Sequence, residues 1–259
     1  MLRVAWRISA MIVILLAMGA FALLGRLLIP SPRLRRRFAA RNLSRTCRAA
    51  NRVLGIRVRV EHEERIPASR RCLIVANHLS WIDVLVISSR MPALFVTSVE
   101  VEQSAVLGWI CKAGGSFFVE RRNRTRLAAE LAELSGALKD GECHLVVFPE
   151  ATSSDGETLL PFKNALFDSA VRSESPVLPL CLRYQKVDGA PLDRSNRDSV
   201  FYYGDMTFLE QFRRFIRVGR TDVLLTVLEP MGIGPDTTRK DLAEKSRAMI
   251  IAAYGQPFA

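Results

Sequence analysis

The longest uncharged stretch of the chain lies near its N-terminus and restricts the fold more than any other feature. Residues 8–25 contain no charged side chain, and residues 27–29 extend the apolar segment once Arg26 is placed at a lipid headgroup. The 22 residues 8–29 reach about 33 Å as a helix, enough to cross a hydrocarbon core of about 30 Å. We therefore expect a transmembrane or membrane-embedded helix over residues 1–30.

A secretory signal peptide is the alternative for this segment. Arg3 and Arg7 precede the apolar residues, and residues 20–22 resemble a cleavage site. The strongly basic segment that follows argues against it, as do five widely spaced cysteines, an odd number that indicates neither a disulfide framework nor a zinc site. We expect reduced thiols and a retained membrane helix, whereas the alternative would imply a secreted hydrolase.

Positive charge is concentrated beside this apolar segment. Residues 1–60 contain thirteen arginines and no Lys, Asp or Glu, whereas the 24 basic residues that follow face 26 acidic ones. The overall charge of +11 therefore belongs to the N-terminal quarter, which disfavours a nucleic-acid-binding protein and favours an anionic membrane surface as the partner. Arginines after the apolar segment also predict a cell (inner) membrane location with the body facing the cytoplasm.

Residues 31–55 predict a second helix, which is basic and amphipathic. One stripe consists of Leu43, Cys47, Ala50 and Leu54, and Gly55 ends the pattern. We expect this helix to bind anionic headgroups, each arginine near the surface contributing about 1 kcal/mol. In the alternative, the Leu and Ala side packs on the domain and the arginines face solvent. The arginines recur every three or four residues: 37, 41, 45, 48 and 52.

The remaining residues, 56–259, alternate short apolar runs with helical patterns. A half-exposed strand is expected at residues 56–61, and buried strands at residues 72–76, 93–97, 117–119, 145–148, 177–182 and 223–228. Helices are expected at residues 82–90, 103–112, 123–139, 162–173, 206–217 and 238–253. This alternation predicts a single α/β layered domain whose mixed, largely parallel sheet is flanked by helices.

The first motif that carries chemistry is His78 followed by Asp83, directly after a buried strand. Five residues on a continuous helix subtend about 140°, so the two side chains can meet only across a strand-to-helix turn. Ser80 would cap a helix starting at Trp81. Asp83 would then hold one imidazole nitrogen and leave the other as a general base. In the alternative, Asp83 interacts with the helix dipole and His78 is an ordinary loop residue.

Three further segments follow or form buried strands. Gly115 precedes the strand at residues 117–119 and Arg121 follows it. A guanidinium at the end of a strand can pair with phosphate or carboxylate. In the alternative, it only makes the surface more soluble. Glu150 and Thr152 follow the strand at residues 145–148, at the sheet edge where open α/β folds bind ligands, although turn and cap roles are the alternative. Two prolines in residues 175–180 predict an edge or irregular strand that lines a pocket.

In order and spacing, these four segments resemble the glycerolipid acyltransferase family, typified by 1-acylglycerol-3-phosphate acyltransferases. The family pattern is N-H-x4-D, then a glycine, an apolar strand and an arginine, then F-P-E-G-T-R-S, then an apolar stretch with two prolines. The resemblance covers roughly residues 60–185 and implies that His78 is the general base and Asp83 its orienting partner. It also implies that the last segment borders the acyl chain. The acceptor site it implies consists of Gly115, Arg121, Glu150 and Thr152.

The chain departs from the family pattern at two positions. Ala151 replaces a glycine and Ser153 replaces an arginine, so one positive charge expected near the acceptor headgroup is missing. Residues 153–163 and 203–207 resemble the branch that includes lyso-ornithine-lipid acyltransferases. These departures bear on the acceptor rather than on the reaction.

The resemblance implies a membrane-bound O-acyltransferase that moves an acyl chain from acyl-CoA or acyl-carrier protein to a lysolipid hydroxyl. The acceptor we expect from the motifs is 1-acylglycerol-3-phosphate, and lyso-ornithine lipid is the alternative. A neutral histidine can take the hydroxyl proton, and a thioester needs no enzyme nucleophile, cofactor or metal. His62 and His144 are expected to be structural. A non-catalytic lipid-binding protein is the alternative of another class, favoured by Ala151 and Ser153.

Overall fold

The computed structural model describes residues 1–67, 71–120, 123–141 and 143–255. Within them, eight strands form one sheet. The strands are β1 (Ile56–Glu61), β2 (Leu73–Ala76), β3 (Ala93–Ser98), β4 (Phe117–Val119), β5 (His144–Val147), β6 (Val177–Val187), β7 (Ala190–Pro191) and β8 (Thr221–Val227). The helices are α1 (Leu2–Leu28), α2 (Pro32–Leu54), α3 (Ile82–Arg90), α4 (Val99–Gln103), α5 (Ala105–Ala113), α6 (Arg124–Lys139), α7 (Asp168–Ser173), α8 (Phe208–Phe215) and α9 (Arg239–Tyr254).

The sheet has the order β1-β8-β6-β2-β5-β3-β4, with β7 paired to β6. The β6–β8 and β6–β7 pairs are antiparallel, and every other described pair is parallel. The central strand β2 places Val75 between Val147 of β5 and Pro179 of β6. The predicted mixed, largely parallel sheet is therefore confirmed.

Two apolar layers cover the two faces of the sheet, because successive strand residues point in opposite directions. Ile74 belongs to the layer under α2, α3 and α8, and its neighbours Leu73 and Val75 belong to the layer under α6 and α7. Burial on both faces explains why β2 and β5 are continuous apolar runs in the sequence.

Two expectations about β6 and the segment before it are wrong. β6 pairs with both β2 and β8, so residues 177–180 form an interior strand and not an edge strand. The irregular alternative fits better, because the β8 ladder stops at Leu180 and only an isolated bridge from Val177 to Met231 continues it. The helix expected at residues 162–173 is limited to a 3-10 turn at Ala165–Phe167 and α7. The backbone N–H of Lys163 instead donates to the carbonyl of Pro149 at 2.8 Å, which ties this segment to the end of β5.

The basic helix α2 packs on the domain through its predicted stripe. Leu43, Cys47, Ala50 and Leu54 are all buried, and α2 contacts α3, β1 and β3. This packing agrees with the alternative in which the Leu and Ala side faces the domain. The arginines at positions 41, 45, 48 and 52 are exposed, and their attachment to anionic headgroups stays a prediction.

The apolar helix α1 lies beside α2 and is held to the domain near its start. The Arg7 guanidinium is buried and donates hydrogen bonds to the backbone carbonyls of Ile216, Val218 and Gly219. Further along α1, the Asn42 side chain donates to the carbonyl of Met18 at 3.1 Å. The helix is long and apolar enough to cross a membrane, and most of its surface is exposed. Its exposed large apolar side chains include Trp6, Ile12, Val13, Leu16, Phe21, Leu23, Leu27 and Leu28.

Candidate active site

A short turn between β2 and α3 carries His78. Before it, the Asn77 side chain donates to the Leu182 carbonyl at 2.9 Å and accepts from the Leu182 N–H at 2.8 Å, which fixes the end of β2 to β6. The carbonyl of His78 accepts from the Ser154 N–H, and the carbonyl of Leu79 accepts from the Tyr202 N–H, both at 2.9 Å. Backbone hydrogen bonds to two distant segments therefore hold the turn.

The structure brings His78 and Asp83 together across this turn. The His78 Nδ1 lies 2.9 Å from Oδ2 of Asp83, which is completely buried in the first turn of α3. The same oxygen accepts from the N–H groups of Leu79 and Ser80, at 2.7 and 2.9 Å. Because a carboxylate only accepts hydrogen bonds, Nδ1 carries the imidazole hydrogen and Nε2 carries a lone pair.

The expected cap by Ser80 does not form. Helix α3 begins at Ile82 instead of Trp81, and the buried Ser80 hydroxyl has no hydrogen-bond partner among the described residues. The Asp83 carboxylate instead accepts from the backbone N–H groups of Leu79 and Ser80, which precede the helix.

The imidazole of His78 is open to a ligand on one side. Its ring stacks on Phe148, with the ring centroids 4.0 Å apart and the planes 13° apart. The side chain is 21% exposed, and its Nε2 has no hydrogen-bond partner within the described part of the chain. The Nε2 lone pair is therefore available at the carboxyl edge of the sheet. A histidine whose two ring nitrogens both bonded protein groups would not have this free lone pair.

Glu150 binds backbone on both of its oxygens. Oε1 accepts from the His78 N–H at 2.7 Å, and Oε2 accepts from the Leu160 N–H at 2.8 Å. The residue is only 4% exposed, and this burial raises the pKa of its carboxyl above the ordinary value. The observed contacts hold the His78 turn against residues 151–160, and the contact with the acceptor stays a prediction.

The residues after Glu150 form a tight exposed turn. Ala151 has a φ of 65°, in the left-handed region that favours glycine. Thr152 is exposed, and its hydroxyl lies 3.5 Å from the carbonyl of Ser153. The family's glycine at position 151 therefore has a conformational reason, and this chain keeps the backbone shape with an alanine.

Gly115 lies at the other end of the sheet from His78. It follows α5 with a φ of 77° and precedes β4, so it stands at the amino edge of the parallel strands. A Cβ atom there would come within 2.8 Å of the Ala39 Cβ and 3.3 Å of Leu94. The structure gives Gly115 a packing role against α2, and a contact with substrate stays a prediction. Arg121 lies outside the described residues.

An apolar cavity of about 260 Å³ adjoins the site. Phe148, on which His78 stacks, lines it together with Pro149 and Ala151. Lys163 is the one charged side chain among the described lining residues. The cavity therefore offers an apolar space that shares Phe148 with the site.

Tyr184 is a member of the site that the sequence did not reveal. Its hydroxyl donates to Oδ1 of Asp83 at 2.7 Å. Burial raises the pKa of Tyr184 well above its ordinary value, so the hydroxyl keeps its hydrogen. The tyrosine lies 101 residues after Asp83, and the only sequence signal was its place in a strand beside the central one.

Comparison with known proteins identifies the family. A family model described as Acyltransferase matches residues 57–183. The lyso-ornithine lipid O-acyltransferase of Rhizobium meliloti is 32% identical over 203 residues, which cover 76% of this chain and 68% of that protein. The chain belongs to the glycerolipid acyltransferase family. This acyltransferase is also 31% identical to the lyso-ornithine lipid O-acyltransferase of Pseudomonas aeruginosa, over 86% of this chain and 80% of that protein.

Two further proteins that this chain resembles are named for a phosphate-bearing acceptor. The 1-acyl-sn-glycerol-3-phosphate acyltransferase of Neisseria meningitidis is 36% identical over 117 residues, 45% of this chain and 46% of that protein. The crystal structure of the 1-acyl-sn-glycerophosphate (LPA) acyltransferase PlsC of Thermotoga maritima matches with a TM-score of 0.71 and 21% identity, covering 98% of this chain and 93% of that one. The shared fold therefore includes the N-terminal helices.

Proposed function

We propose that this acyltransferase moves an acyl chain from a thioester to the hydroxyl of a lysolipid, with His78 as the general base. The observation that carries the proposal is the pairing of His78 Nδ1 with the buried Asp83 while Nε2 remains open. The ring orientation is fixed before substrate arrives, so the lone pair can be aimed at a hydroxyl hydrogen.

In the proposed reaction, Nε2 of His78 takes the hydroxyl proton as the lipid oxygen attacks the thioester carbonyl carbon. A carbon–oxygen bond forms, the carbon–sulfur bond breaks, and the imidazolium returns the proton to the departing sulfur. Asp83 stabilises the imidazolium between these steps. General base catalysis of this kind contributes about 10²- to 10⁴-fold to the rate. The donor is acyl-CoA or acyl-carrier protein, and the proposal needs no metal or resident cofactor.

Asn77, Glu150 and Tyr184 act in this proposal as positioning residues. Each binds the turn or the carboxylate that orients the imidazole. The apolar cavity beside Phe148 would take part of an acyl chain, because its described lining is apolar apart from Lys163. Gly115, Arg121, Glu150 and Thr152 remain the acceptor contacts that the resemblance implies.

We favour lyso-ornithine lipid as the acceptor. The relatives with this name align over most of the chain, and Ser153 lacks the positive charge that a phosphate-bearing acceptor would use. The second candidate is 1-acylglycerol-3-phosphate, which the motifs alone placed first, and the Neisseria relative supports it across the motif region.

The arrangement of α1 bears on how the protein meets the membrane. Arg7 ties the start of α1 to the domain, and the short link at residues 29–31 joins its end to α2, which packs on the domain. A helix held at both ends lies along the domain instead of projecting away from it. We propose that its exposed apolar side is embedded from the cytoplasmic face, with the α2 arginines at anionic headgroups.

An acceptor comparison tests the function. Purified protein in neutral lipid discs is given an acyl-CoA and equal amounts of lyso-ornithine lipid and 1-acylglycerol-3-phosphate. We expect faster acylation of lyso-ornithine lipid, its loss in His78→Ala, and its retention in the control His62→Asn. Faster acylation of 1-acylglycerol-3-phosphate would reject the acceptor, and acylation of neither lipid would reject the function.

A further inference from the structure

A second cavity, of about 370 Å³, opens at the amino edge of the sheet. Arg37 and Arg41 reach it from α2, Arg71 from the segment before β2, and Arg90 from the end of α3. His144, at the start of β5, completes the polar lining. None of the described lining residues is acidic, so four positive charges converge on this cavity.

This arginine cavity is distinct from the active site. Arg71 and His144 stand at the amino ends of β2 and β5, whereas His78 and Glu150 follow the carboxyl ends of the same two strands. The distance from Cys72 to His78 along an extended strand is about 20 Å. Acyl transfer at His78 therefore does not explain why four arginines line this cavity.

The tautomer of His144 follows from its partners. The side chain is only 4% exposed, and its Nδ1 lies 3.3 Å from the backbone N–H of Cys72 and 3.0 Å from its sulfur. Burial raises the pKa of the Cys72 thiol to about 12, so the sulfur keeps its hydrogen. Burial, assisted by Arg71, lowers the pKa of His144 to about 4. The neutral ring therefore accepts at Nδ1 and carries its hydrogen on Nε2.

Two hydrogen-bond donors consequently face each other. The Nε2 of His144 lies 3.3 Å from Nη1 of Arg71, and both groups carry hydrogens. Two donors cannot satisfy each other, but both can bind one acceptor placed beside them. The buried Nε of Arg37 also has no partner among the described residues.

The arginines are held in place without carboxylate partners. Arg37 donates to the carbonyl of Gly141 at 3.0 Å, and Arg90 donates to the carbonyl of Val58 at 3.1 Å. Within the described ranges, none of the four cavity arginines forms a salt bridge. The carbonyl bonds orient the guanidinium groups of Arg37 and Arg90, and no carboxylate of the described residues compensates the charge of the four arginines.

We infer that this cavity binds a phosphate group, whose oxygens would accept from Arg71, His144 and the α2 arginines together. Guanidinium groups pair well with phosphate, and the charge-assisted bonds are stronger than neutral ones. The group could belong to an anionic lipid, because α2 lies beside the apolar helix α1, or to a soluble phosphate.

Binding is tested on the full-length protein in phosphatidylcholine discs by thermal unfolding. One arm adds inorganic phosphate at constant ionic strength, and the other incorporates phosphatidic acid into the discs. We expect saturable stabilisation in at least one arm, and the responding arm identifies the source. Arg71→Gln and Arg41→Gln should each weaken the response about ten-fold, the effect of losing one charge-assisted hydrogen bond.

The matched control is Arg45→Gln, which removes the same charge from the same helix but lies outside the cavity. In the inorganic-phosphate arm it should leave the response unchanged, as should His78→Ala, which keeps this test independent of acyl transfer. In the phosphatidic acid arm, where the α2 arginines also meet headgroups, Arg45→Gln should lose much less of the response than Arg71→Gln. Arg41 is exposed and its side chain makes no hydrogen bond in the described structure, so Arg41→Gln tests the site even if Arg71→Gln does not fold. Absence of a saturable response in both arms, or an equal loss in Arg45→Gln, would overturn the inference.

Discussion

The hydroxyl of Tyr184 donates a hydrogen bond to Oδ1 of Asp83 at 2.7 Å, inside the core of the domain. The other oxygen of Asp83 faces the His78 imidazole and the N–H groups of Leu79 and Ser80. Every oxygen of the carboxylate is therefore engaged before substrate binds. Because of this preorganisation, the polar groups of the site do not have to reorient when the transition state forms.

Removal of the Tyr184 hydroxyl should lower kcat more than it changes KM. Tyr184→Phe keeps the ring but leaves Oδ1 of Asp83 without its donor, a loss of roughly 1.5–3 kcal/mol for a hydrogen bond to a charged group. We expect kcat to fall about ten-fold with little change in KM for the lysolipid. Tyr202→Phe is the control, because the Tyr202 hydroxyl has no hydrogen bond in the described structure. Equal kcat values for both variants would contradict a positioning role for Tyr184.

Ala151→Gly should stabilise the protein. The φ of 65° at Ala151 is strained for alanine and free of strain for glycine. Glycine also raises the entropy of the unfolded chain, which offsets part of the relieved strain. We therefore expect a net gain of roughly 0.5–1 kcal/mol in the free energy of unfolding. Chemical denaturation measures it. Ala252→Gly, on the exposed surface of α9, should lower the stability by a similar amount, and the same sign for both variants would refute the argument.

His144 should make the protein less stable in mild acid. Its pKa in the folded protein is about 4, below the ordinary 6.5, because the ring is buried and because the positive charge of Arg71 lies beside it. The unfolded chain therefore takes up this proton first, and stability is lost as the pH falls from about 6.5 to about 4. The arginines around the cavity stay charged throughout that range.

The loss attributable to His144 is about 3 kcal/mol, since each pKa unit corresponds to about 1.4 kcal/mol. The free energy of unfolding, measured by chemical denaturation at each pH, should therefore fall less steeply with falling pH in His144→Gln than in the wild type. His62→Asn changes a half-exposed histidine and should keep the wild-type slope. A His144→Gln slope equal to that of the wild type would show that this ring does not titrate as described.

Arg7→Ala should release the start of α1 from the domain. The substitution removes the guanidinium that binds the backbone carbonyls at residues 216, 218 and 219. We expect faster hydrogen exchange in the first turns of α1, measured by mass spectrometry in neutral lipid discs. Arg26→Ala, at the exposed end of the same helix, should leave that exchange unchanged. Unchanged exchange in Arg7→Ala would show that the lipid alone holds the helix.

Much of the sheet could be predicted because its interior strands are short apolar runs bounded by polar turns. β1, β4 and the core of β5 lie where the sequence predicts them. The neighbours of β6 could not be predicted, because pairing depends on β8 returning antiparallel from much later in the chain. The helix pattern at residues 162–173 was overridden by the bond between Lys163 and Pro149.

The local part of the site was accessible from the sequence, and the remainder was not. The meeting of His78 and Asp83 depends on one turn, which the strand before it and the helix after it define. Tyr184 joins them only because β6 packs beside β2. The hydrogen bonds from two backbone N–H groups to Glu150 likewise depend on where the chain returns after β5. Such bonds to the backbone cannot be predicted from the type of residue.

The role of His78 as general base is tested most directly by the kcat of acyl transfer by purified His78→Ala, measured with acyl-CoA and lyso-ornithine lipid beside the wild type and His62→Asn. We expect kcat to fall at least about 10²-fold in His78→Ala, with an unchanged unfolding midpoint. His62→Asn should retain the wild-type kcat. A folded His78→Ala enzyme that turns over at the wild-type rate would contradict the assignment of this imidazole as the general base.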